Sequence, residues 1–137
     1  MRWAEQLIRL ASFEVEVLQV RLGAVVERRT AAELRLAVLT AEGEAELAVA
    51  RADPQCAWRL PAFNEALRSR KVKVQGEIDL TVAEESGARD ALAHAFESLK
   101  KYEQIAEQAR TATIREAAKR ETAVLDELGL RRAAGRR

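Results

Sequence analysis

Both prolines of this 137-residue chain lie in one short segment, RADPQCAWRLPAF, and long proline-free stretches flank it on either side. Proline lacks the N–H that a helix interior requires, and its ring clashes with the preceding turn. The residue before a proline is also biased away from helical geometry. We therefore expect a first helix, over about residues 2–51, to end before Pro54. Pro61 suits the first turn of a second helix, where a missing N–H costs little.

Apolar residues recur in alternating steps of four and three on both sides of this segment, which is the seam pattern of a coiled coil. Alanine occurs 27 times and aromatic residues make up only 4% of the chain, so the side chains suit a narrow helix–helix seam better than a globular interior. The predicted seam residues are Ala4, Ile8, Ala11, Val15, Leu18, Leu22, Val25, Arg29, Ala32, Leu36, Leu39 and Gly43, then Leu67, Lys71, Val74, Ile78, Thr81, Glu85, Ala88, Leu92, Ala95, Leu99, Tyr102, Ala106 and Ala109.

Two long helices joined by a short connection fold back on each other as an antiparallel hairpin. If the bend, about residues 52–61, is centred near residue 57, the numbers of two facing residues add up to roughly 114. This register places Leu36 opposite Ile78. It also places Arg29, the charged seam residue of the first helix, opposite Glu85. A paired charge at a seam position fixes register, so we predict that Arg29 and Glu85 are the register-setting pair.

The same register leaves the chain beyond Thr113 without a partner helix. We predict a second helix over about 62–128 that ends at a Gly129 cap, followed by a frayed basic tail, 129–137. The unpaired part still carries an apolar stripe, and an exposed stripe of this kind indicates a partner surface. Its members are Ile114, Ala117, Val124, Leu125 and Leu128. The predicted fold is therefore a single all-α domain over 1–137, a long antiparallel two-helix coiled-coil hairpin with a C-terminal helical overhang.

No enzyme site is recognisable in the sequence. One cysteine, Cys56, and one histidine, His94, cannot form a Cys/His zinc site within a single chain. Neither a phosphate-binding P-loop nor a dinucleotide-binding glycine motif is present. We expect a non-catalytic protein with no metal and no cofactor, in which Cys56 packs within the loop and His94 flanks the seam.

Charge and hydropathy exclude two further classes of protein. The net charge of +1 lacks the basic excess of a nucleic-acid-binding rod, so we expect no nucleic-acid partner. No apolar run approaches the ~18 residues of a membrane span, and glutamates interrupt the apolar N-terminal stretch. We expect a cytoplasmic protein without a signal peptide and without direct membrane insertion.

Two features near the bend have alternative interpretations. Trp58, Leu60 and Phe63 either close the end of the coiled coil or form an apolar tip that docks into another protein. The basic run RSRKVK, residues 68–73, is either a solvated face or a docking patch for an acidic partner.

The segment KRETAVLDELGLRR, residues 119–132, resembles the carboxy-terminal motif of flagellar FliJ proteins, in which a charged helix runs into Leu-Asp-Glu followed by apolar residues and arginine. The matching positions here are Glu121, Leu125, Asp126, Glu127, Leu128 and Arg131. The opening helix RWAEQLIRLASFEVEVLQVRL, the chain length and the two unequal helices with a central bend are also similar to this family.

The resemblance implies a non-catalytic stalk and adaptor in flagellar type III protein export, located at the inner membrane of the flagellar base. Its implied partners are the hexameric export ATPase, the export-gate membrane protein and export chaperones. The end with both chain termini would bind the ATPase ring, and the bend would face the gate. Candidate ATPase contacts are Ile114, Glu121, Val124, Leu125, Asp126, Glu127 and Leu128, and candidate gate contacts are Trp58, Leu60, Phe63, Leu67, Arg68 and Lys71.

Two alternatives stay open at this point. One is a self-associating structural coiled coil that buries Ile114, Val124 and Leu128 against a second copy. The other is the equivalent stalk of a needle-type secretion system.

Overall fold

Two long helices make up nearly all of the computed structural model, which describes residues 2–136. Helix α1 spans Arg2–Ala52 and helix α2 spans Leu60–Gly135. Between them, Pro54–Arg59 form a short 3₁₀ helix. No strand occurs in the described part of the chain, so the all-α prediction is confirmed.

The bend is built from the residues that the sequence singles out. Asp53 leaves helical geometry, with φ of −132° and ψ of 97°, and its side chain accepts a hydrogen bond from the Gln55 N–H at 3.1 Å. Pro54 follows at the start of the 3₁₀ helix, where its missing N–H costs nothing. Pro61 is the second residue of α2, as expected of a proline in a first helical turn. Both helices extend slightly further into the bend than the sequence indicates.

The C-terminal end of α2 differs from the prediction. The helix does not stop at Leu128 but continues through Gly129 to Gly135. No glycine among the described residues has a positive φ, so Gly129 does not adopt the left-handed conformation of a helix cap. Leucine, arginine and alanine on either side are strong helix formers. Arg131 also donates a hydrogen bond of 2.9 Å to Glu127, which joins the two turns around Gly129.

The chain divides into two compact units, and both helices contribute to each. The bend unit comprises Val15–His94. The terminal unit comprises the chain up to Glu14 together with the chain from Ala95 onward.

In the bend unit, α1 and α2 pack along the predicted seam. Ala32, Val74 and Ile78 form a buried cluster, and Leu36 and Leu39 pack against it. Thr81 is a buried polar seam residue whose hydroxyl donates a hydrogen bond of 2.8 Å to the Ile78 carbonyl. All predicted seam positions of this unit are buried or half-buried, namely Val15, Leu18, Leu22, Val25, Arg29, Ala32, Leu36, Leu39, Gly43, Leu67, Lys71, Val74, Ile78, Thr81, Glu85, Ala88 and Leu92.

In the terminal unit, the first turns of α1 pack against the middle of α2. Ala4 lines a common cavity with Ala106 and Arg110, which is the antiparallel arrangement that the register predicts. The predicted seam positions are again buried or half-buried: Ala4, Ile8, Ala11, Ala95, Leu99, Tyr102, Ala106 and Ala109. Every residue from 112 to 136 is exposed, so the predicted helical overhang is confirmed.

The interface between the helices is narrow, because each helix of a pair buries only one face. No large side chain is fully buried among the described residues. Small residues let the backbones approach closely. A Cβ added to Gly43 would lie 2.5 Å from Cδ2 of Leu67, so the leucine occupies the space that a side chain at residue 43 would need.

Candidate interaction surfaces

One carboxylate is buried in the seam of the bend unit. The Glu85 side chain is 6% exposed. It forms an ion pair with Arg29, whose Nη1 lies 2.7 Å from Oε2, and its Oε1 accepts a hydrogen bond of 2.8 Å from Arg89 Nη2. The structure therefore brings together Arg29 and Glu85, the two residues predicted to set the register. Arg89 was not predicted, although its i,i+4 spacing from Glu85 was the available signal.

Two exposed ion pairs run along the flank of the same unit. Arg28 donates to Glu84 and Arg35 donates to Glu77, each at 2.6 Å. In all the cross-helix pairs of the bend unit, the two residue numbers add up to 112 or 114. The arginines lie on α1 and the glutamates on α2. A slip of one heptad would place Arg35 opposite Arg70 in one direction and Arg28 opposite Ala91 in the other, so only the observed alignment keeps both pairs.

The bend presents one largely exposed aromatic side chain. Trp58 is 77% exposed, whereas Leu60 and Phe63 are half-buried. The two alternatives for this apolar group, closure of the coiled-coil end and an exposed docking tip, therefore apply to different residues. Leu60 and Phe63 help to close the helix pair, and Trp58 faces solvent. Arg68, a predicted gate contact, is exposed.

Two other predicted gate contacts lie in the seam. Leu67 is only 9% exposed and packs against Gly43, so it cannot join an exposed surface unless the helices separate. Lys71 is half-buried at the next seam position. The bend surface is therefore defined as the predicted gate contacts other than the buried Leu67, namely Trp58, Leu60, Phe63, Arg68 and Lys71.

Cys56 belongs to a small polar cluster inside the bend. Its thiol donates to Oδ2 of Asp53 at 3.4 Å, and its sulfur accepts from Nη2 of Arg59 at 3.5 Å. The cysteine thus helps to hold the 3₁₀ turn, in keeping with the loop-packing role expected for it. His94 is exposed and precedes the buried seam residue Ala95.

The apolar stripe of the overhang does not continue the seam of α2. The four–three steps that end at Ala109 would continue to Thr113, Glu116, Arg120, Ala123 and Glu127, which are mostly polar. The apolar residues instead lie one position later, at Ile114, Ala117, Val124 and Leu128. One residue corresponds to a rotation of about 100° around the helix. The overhang therefore presents its apolar side in a direction different from that of the seam, as expected of a surface meant for a different partner.

Charged side chains accompany this stripe. Glu127 and Glu116 accept from Arg131 and Arg120 of the same helix, each at 2.9 Å. Glu121 and Asp126 form no ion pair with any residue between 2 and 136, so their carboxylates remain available to another molecule. Ile114, Val124, Leu125 and Leu128 are all at least half exposed.

A charged pair lies just before the overhang. Arg110 donates to both carboxylate oxygens of Glu107, at 2.7 and 3.2 Å. The hydrogen bonds and positive charge of Arg110 lower the pKa of Glu107, and the same contacts raise the pKa of Arg110. Both groups are fully exposed, so solvent screens the pair and it adds little to folding.

The sequence pattern contains a second apolar stripe that the seam prediction missed. We call it the outer stripe of α1: Val17, Val20, Ala24, Ala31, Leu34 and Val38, all exposed. Its signal is a second run of three- and four-residue steps, out of phase with the seam. Leu130 in the overhang was also missed, because the tail was not expected to be helical; it is 73% exposed.

No metal or membrane site is found in the described residues. Nowhere between residues 2 and 136 do three or more His, Cys, Asp or Glu side chains come together in a way that would hold a metal ion. Within the same range, neither helix contains a segment apolar enough to cross a membrane.

Comparison with known proteins identifies close relatives. Proteins named Flagellar FliJ protein, from strains NA1000/CB15N and CB 15 of Caulobacter vibrioides, are each 46% identical to this chain over 133 residues. The matched region covers 97% of this chain and 96% of each relative. No family model and no solved structure matches the chain. Identity of this extent over almost the whole length, together with the two unequal helices and the overhang, shows that the chain belongs to the flagellar FliJ family.

Proposed function

We propose that this protein is a non-catalytic stalk and adaptor of the flagellar protein export apparatus. It couples the export ATPase ring to the export gate and assists export chaperones. Family membership supports the flagellar assignment, since the relatives carry that name. Membership also favours the flagellar stalk over the needle-type alternative.

The overhang is the observation that carries this proposal. It is a helical segment of α2 with no partner in its own chain and an exposed apolar stripe, which is costly unless another protein covers it. The apolar side of the overhang faces a different direction from the seam. A helix that continued the packing of α1 along the seam would therefore not cover it. We propose that the ATPase ring contacts Ile114, Val124, Leu125 and Leu128, with Glu121, Asp126 and Glu127 at the polar edge of the contact.

The bend surface is the proposed gate contact. Trp58 is exposed on a turn that is held by the Asp53 cap and the Cys56 hydrogen bonds. A backbone fixed in this way loses little conformational entropy on binding, and tryptophan is enriched at binding hot spots. Arg68 supplies a positive charge for an acidic partner.

The proposal is tested by mixing the full chain with its cognate export ATPase and measuring ring assembly and ATP hydrolysis. We expect the chain to promote both, and deletion of residues 114–137 to abolish the effect. Leu125→Ala with Leu128→Ala should weaken the effect at least tenfold, since each removes about 1–2 kcal/mol of burial at a protein contact.

The matched control is Leu10→Ala with Leu80→Ala, which removes two leucines that are as exposed as those of the overhang but lie elsewhere. This variant should behave as the wild type. An ATPase effect that survives deletion of the overhang would refute its proposed role. Sedimentation equilibrium of the full chain tests the scaffold alternative: a dimer that Leu125→Ala with Leu128→Ala dissociates would favour self-association through the overhang instead.

A further inference from the structure

A groove runs along one flank of the seam in the bend unit, and the proposed function does not use it. Three cavities of about 420, 300 and 410 Å³ lie in a row along this flank. Neighbouring cavities have an arginine of α1 and a glutamate of α2 in common, so they are parts of one groove. We call it the basic groove; it lies between residues 18–39 of α1 and residues 70–91 of α2.

The walls of the basic groove carry exposed apolar side chains from both helices. Leu34 and Val38 of α1 are 65% and 48% exposed, and Leu80 of α2 is 69% exposed. Half-buried Leu39 and buried Val74 also line the largest of the three cavities. Leu34 and Val38 belong to the outer stripe of α1, so the groove accounts for part of that stripe. Apolar walls of this kind favour a ligand with apolar groups of its own.

The two flanks of the seam differ in charge. Between Val15 and His94, the residue directly before each seam position lies on the groove side, and the residue directly after it lies on the other side. The groove side has three acidic residues and five basic ones, namely Arg21, Arg28, Arg35, Arg70 and Lys73. The other side has two basic residues and four acidic ones, namely Glu16, Glu33, Glu44 and Asp79. The groove side is therefore the positive flank of the helix pair.

Not all of these positive charges are used within the hairpin. Two of the arginines pair with glutamates of α2 across the groove. Arg21, Arg70 and Lys73 are exposed and form no ion pair with any residue between 2 and 136, because the glutamate four residues after Lys73 is paired with Arg35. Glu42, the acidic residue of α1 in register with Arg70, forms no ion pair with it in the described structure. The three free cations suit carboxylates of another molecule.

The length of the groove indicates the shape of that molecule. At ~1.5 Å per residue, the part of α1 that borders the three cavities is roughly 30 Å long. A third helix of roughly 20 residues has this length, and an amphipathic helix that lies in a groove between helices is a recurring mode of recognition. Nucleic acid suits the groove less well, since its walls offer leucine and valine rather than aromatic rings for base stacking.

We propose that the basic groove binds an acidic amphipathic helix of another protein. This helix buries its apolar side against Leu34, Val38 and Leu80, and its carboxylates face the three free cations. The basic run 68–73 is thus divided, since Arg70 and Lys73 belong to the groove and the other two cations belong to the bend surface. The groove lies in the bend unit, so the proposal does not depend on the overhang or on the proposed stalk function.

Binding of a synthetic helix is the first test. The probe is a fluorescein-labelled peptide of about three heptads, with leucine at the first and fourth positions, glutamate at the fifth and seventh, and alanine or glutamine elsewhere. Fluorescence anisotropy with the full chain should show binding that weakens as salt is added, because salt screens exposed charges. The same peptide with lysine in place of glutamate, or with alanine in place of leucine, should bind about tenfold more weakly or worse.

Variants of the full chain locate the contact. Arg70→Glu with Lys73→Glu should weaken binding on the order of 100-fold, since like charges in an interface cost several kcal/mol. Leu34→Ala with Leu80→Ala should weaken it about tenfold through lost apolar contact. Circular dichroism should show unchanged helix content for both variants, because all four positions are exposed.

The matched control is Lys100→Glu with Lys101→Glu, the same change of charge at two exposed positions of α2 in the terminal unit. This control should bind the peptide as the wild type does.

Three results would overturn the proposal: no binding of the glutamate peptide, equal binding of the glutamate and lysine peptides, or an equal loss in the groove and control variants. Tighter binding of a single-stranded DNA of similar length would also overturn it, in favour of a nucleic-acid groove. The Arg70→Glu, Lys73→Glu variant should still act on the ATPase, so this proposal and the stalk function can fail separately.

Discussion

At the scale of single residues, the buried carboxylate of Glu85 is the most specific feature of the seam. Removing a carboxylate from water is costly, and the ion pair with Arg29 and the hydrogen bond from Arg89 offset this cost only as long as both partners stay in place. A leucine pair at the same positions would pack without any desolvation cost. We therefore propose that the charged pair contributes more to the alignment of the helices than to stability.

Removing one partner of the buried pair should destabilise the hairpin, and removing both should not. We expect Arg29→Leu to lower the free energy of unfolding by about 1–3 kcal/mol, because Glu85 stays buried with only Arg89 as a partner. The double variant Arg29→Leu, Glu85→Leu should be within ~1 kcal/mol of the wild type or more stable. Urea unfolding followed by circular dichroism measures both.

The exposed pair Arg35–Glu77 provides the control for this prediction. Replacing both of its residues with leucine should change stability by less than ~1 kcal/mol, and so should replacing either one alone. If the double variant Arg29→Leu, Glu85→Leu were as unstable as Arg29→Leu alone, the ion pair itself would contribute most of the stability of this part of the seam.

The Arg29–Glu85 pair also shows how much of the helix register can be predicted from residue numbers alone. Placing the centre of the bend near residue 57 was enough to put Arg29 opposite Glu85, because every residue further from the bend is matched by one on the other helix. Arg89 and the exposed Arg28–Glu84 and Arg35–Glu77 pairs were not predicted. Long flexible side chains choose among several neighbours, and the seam pattern contains no information on that choice.

At the scale of the helices, the space beside a helix residue depends on which side chain of the other helix lies next to it. At Gly43 the neighbouring helix contributes Leu67, whose Cδ2 fills the position next to the missing Cβ. At Gly76 an added Cβ would meet no atom within 4 Å apart from its own turn of α2. The two glycines therefore differ as the seam pattern predicts, since Gly43 is a seam position and Gly76 is an exposed position outside the seam.

Alanine substitutions at these two glycines should have different effects. Gly76→Ala should stabilise the protein by up to ~1 kcal/mol, because alanine has the higher helix propensity and its methyl group meets nothing. Gly43→Ala gains the same propensity but forces Leu67 to move, which costs about 1–3 kcal/mol in a packed site. Thermal unfolding of the two variants side by side measures the difference, and equal midpoints would contradict it.

Helix ends and outward faces were harder to predict than the seam. The prolines located the bend to within two residues, since their effect on a helix is covalent and local. Gly129 was expected to end α2, but a glycine ends a helix only where following residues favour another conformation. Leu130, Arg131 and Arg132 favour the helix. The outer stripe of α1 was missed because the stronger seam pattern accounted for the helix by itself.

At the scale of the whole molecule, the overhang and the paired helices should unfold independently. Residues 114–136 are exposed, and the hydrogen bonds of this segment, Arg120 to Glu116 and Arg131 to Glu127, lie within α2, so little couples it to the seam. A single unpaired helix of this length is marginally stable in water.

Deleting residues 114–137 should therefore lower the helical signal without changing the main unfolding transition. We expect the midpoint of that transition to stay within about 2 °C of the full chain. Circular dichroism during heating should also show an early, gradual loss of signal that is absent from the shortened chain. Deletion from Ala106 onward removes two seam residues and should lower the midpoint clearly. A large drop after the shorter deletion would mean that the overhang supports the paired region.

In the antiparallel hairpin, the further a contact lies from the bend, the further apart its two residues are along the chain. This separation determines when each contact can form during synthesis. Gly43 and Leu67 meet after a short length of chain has been made, whereas Arg35 and Glu77 are 42 residues apart and Arg28 and Glu84 are 56 apart. The entropy cost of closing the loop between partners rises with this separation. Pairing should thus begin beside the bend and proceed toward the termini as the ribosome releases α2. The N-terminal turns of α1 are made first and find their partners last. Throughout that interval both apolar faces of α1 are uncovered, so the nascent helix is a suitable target for a chaperone.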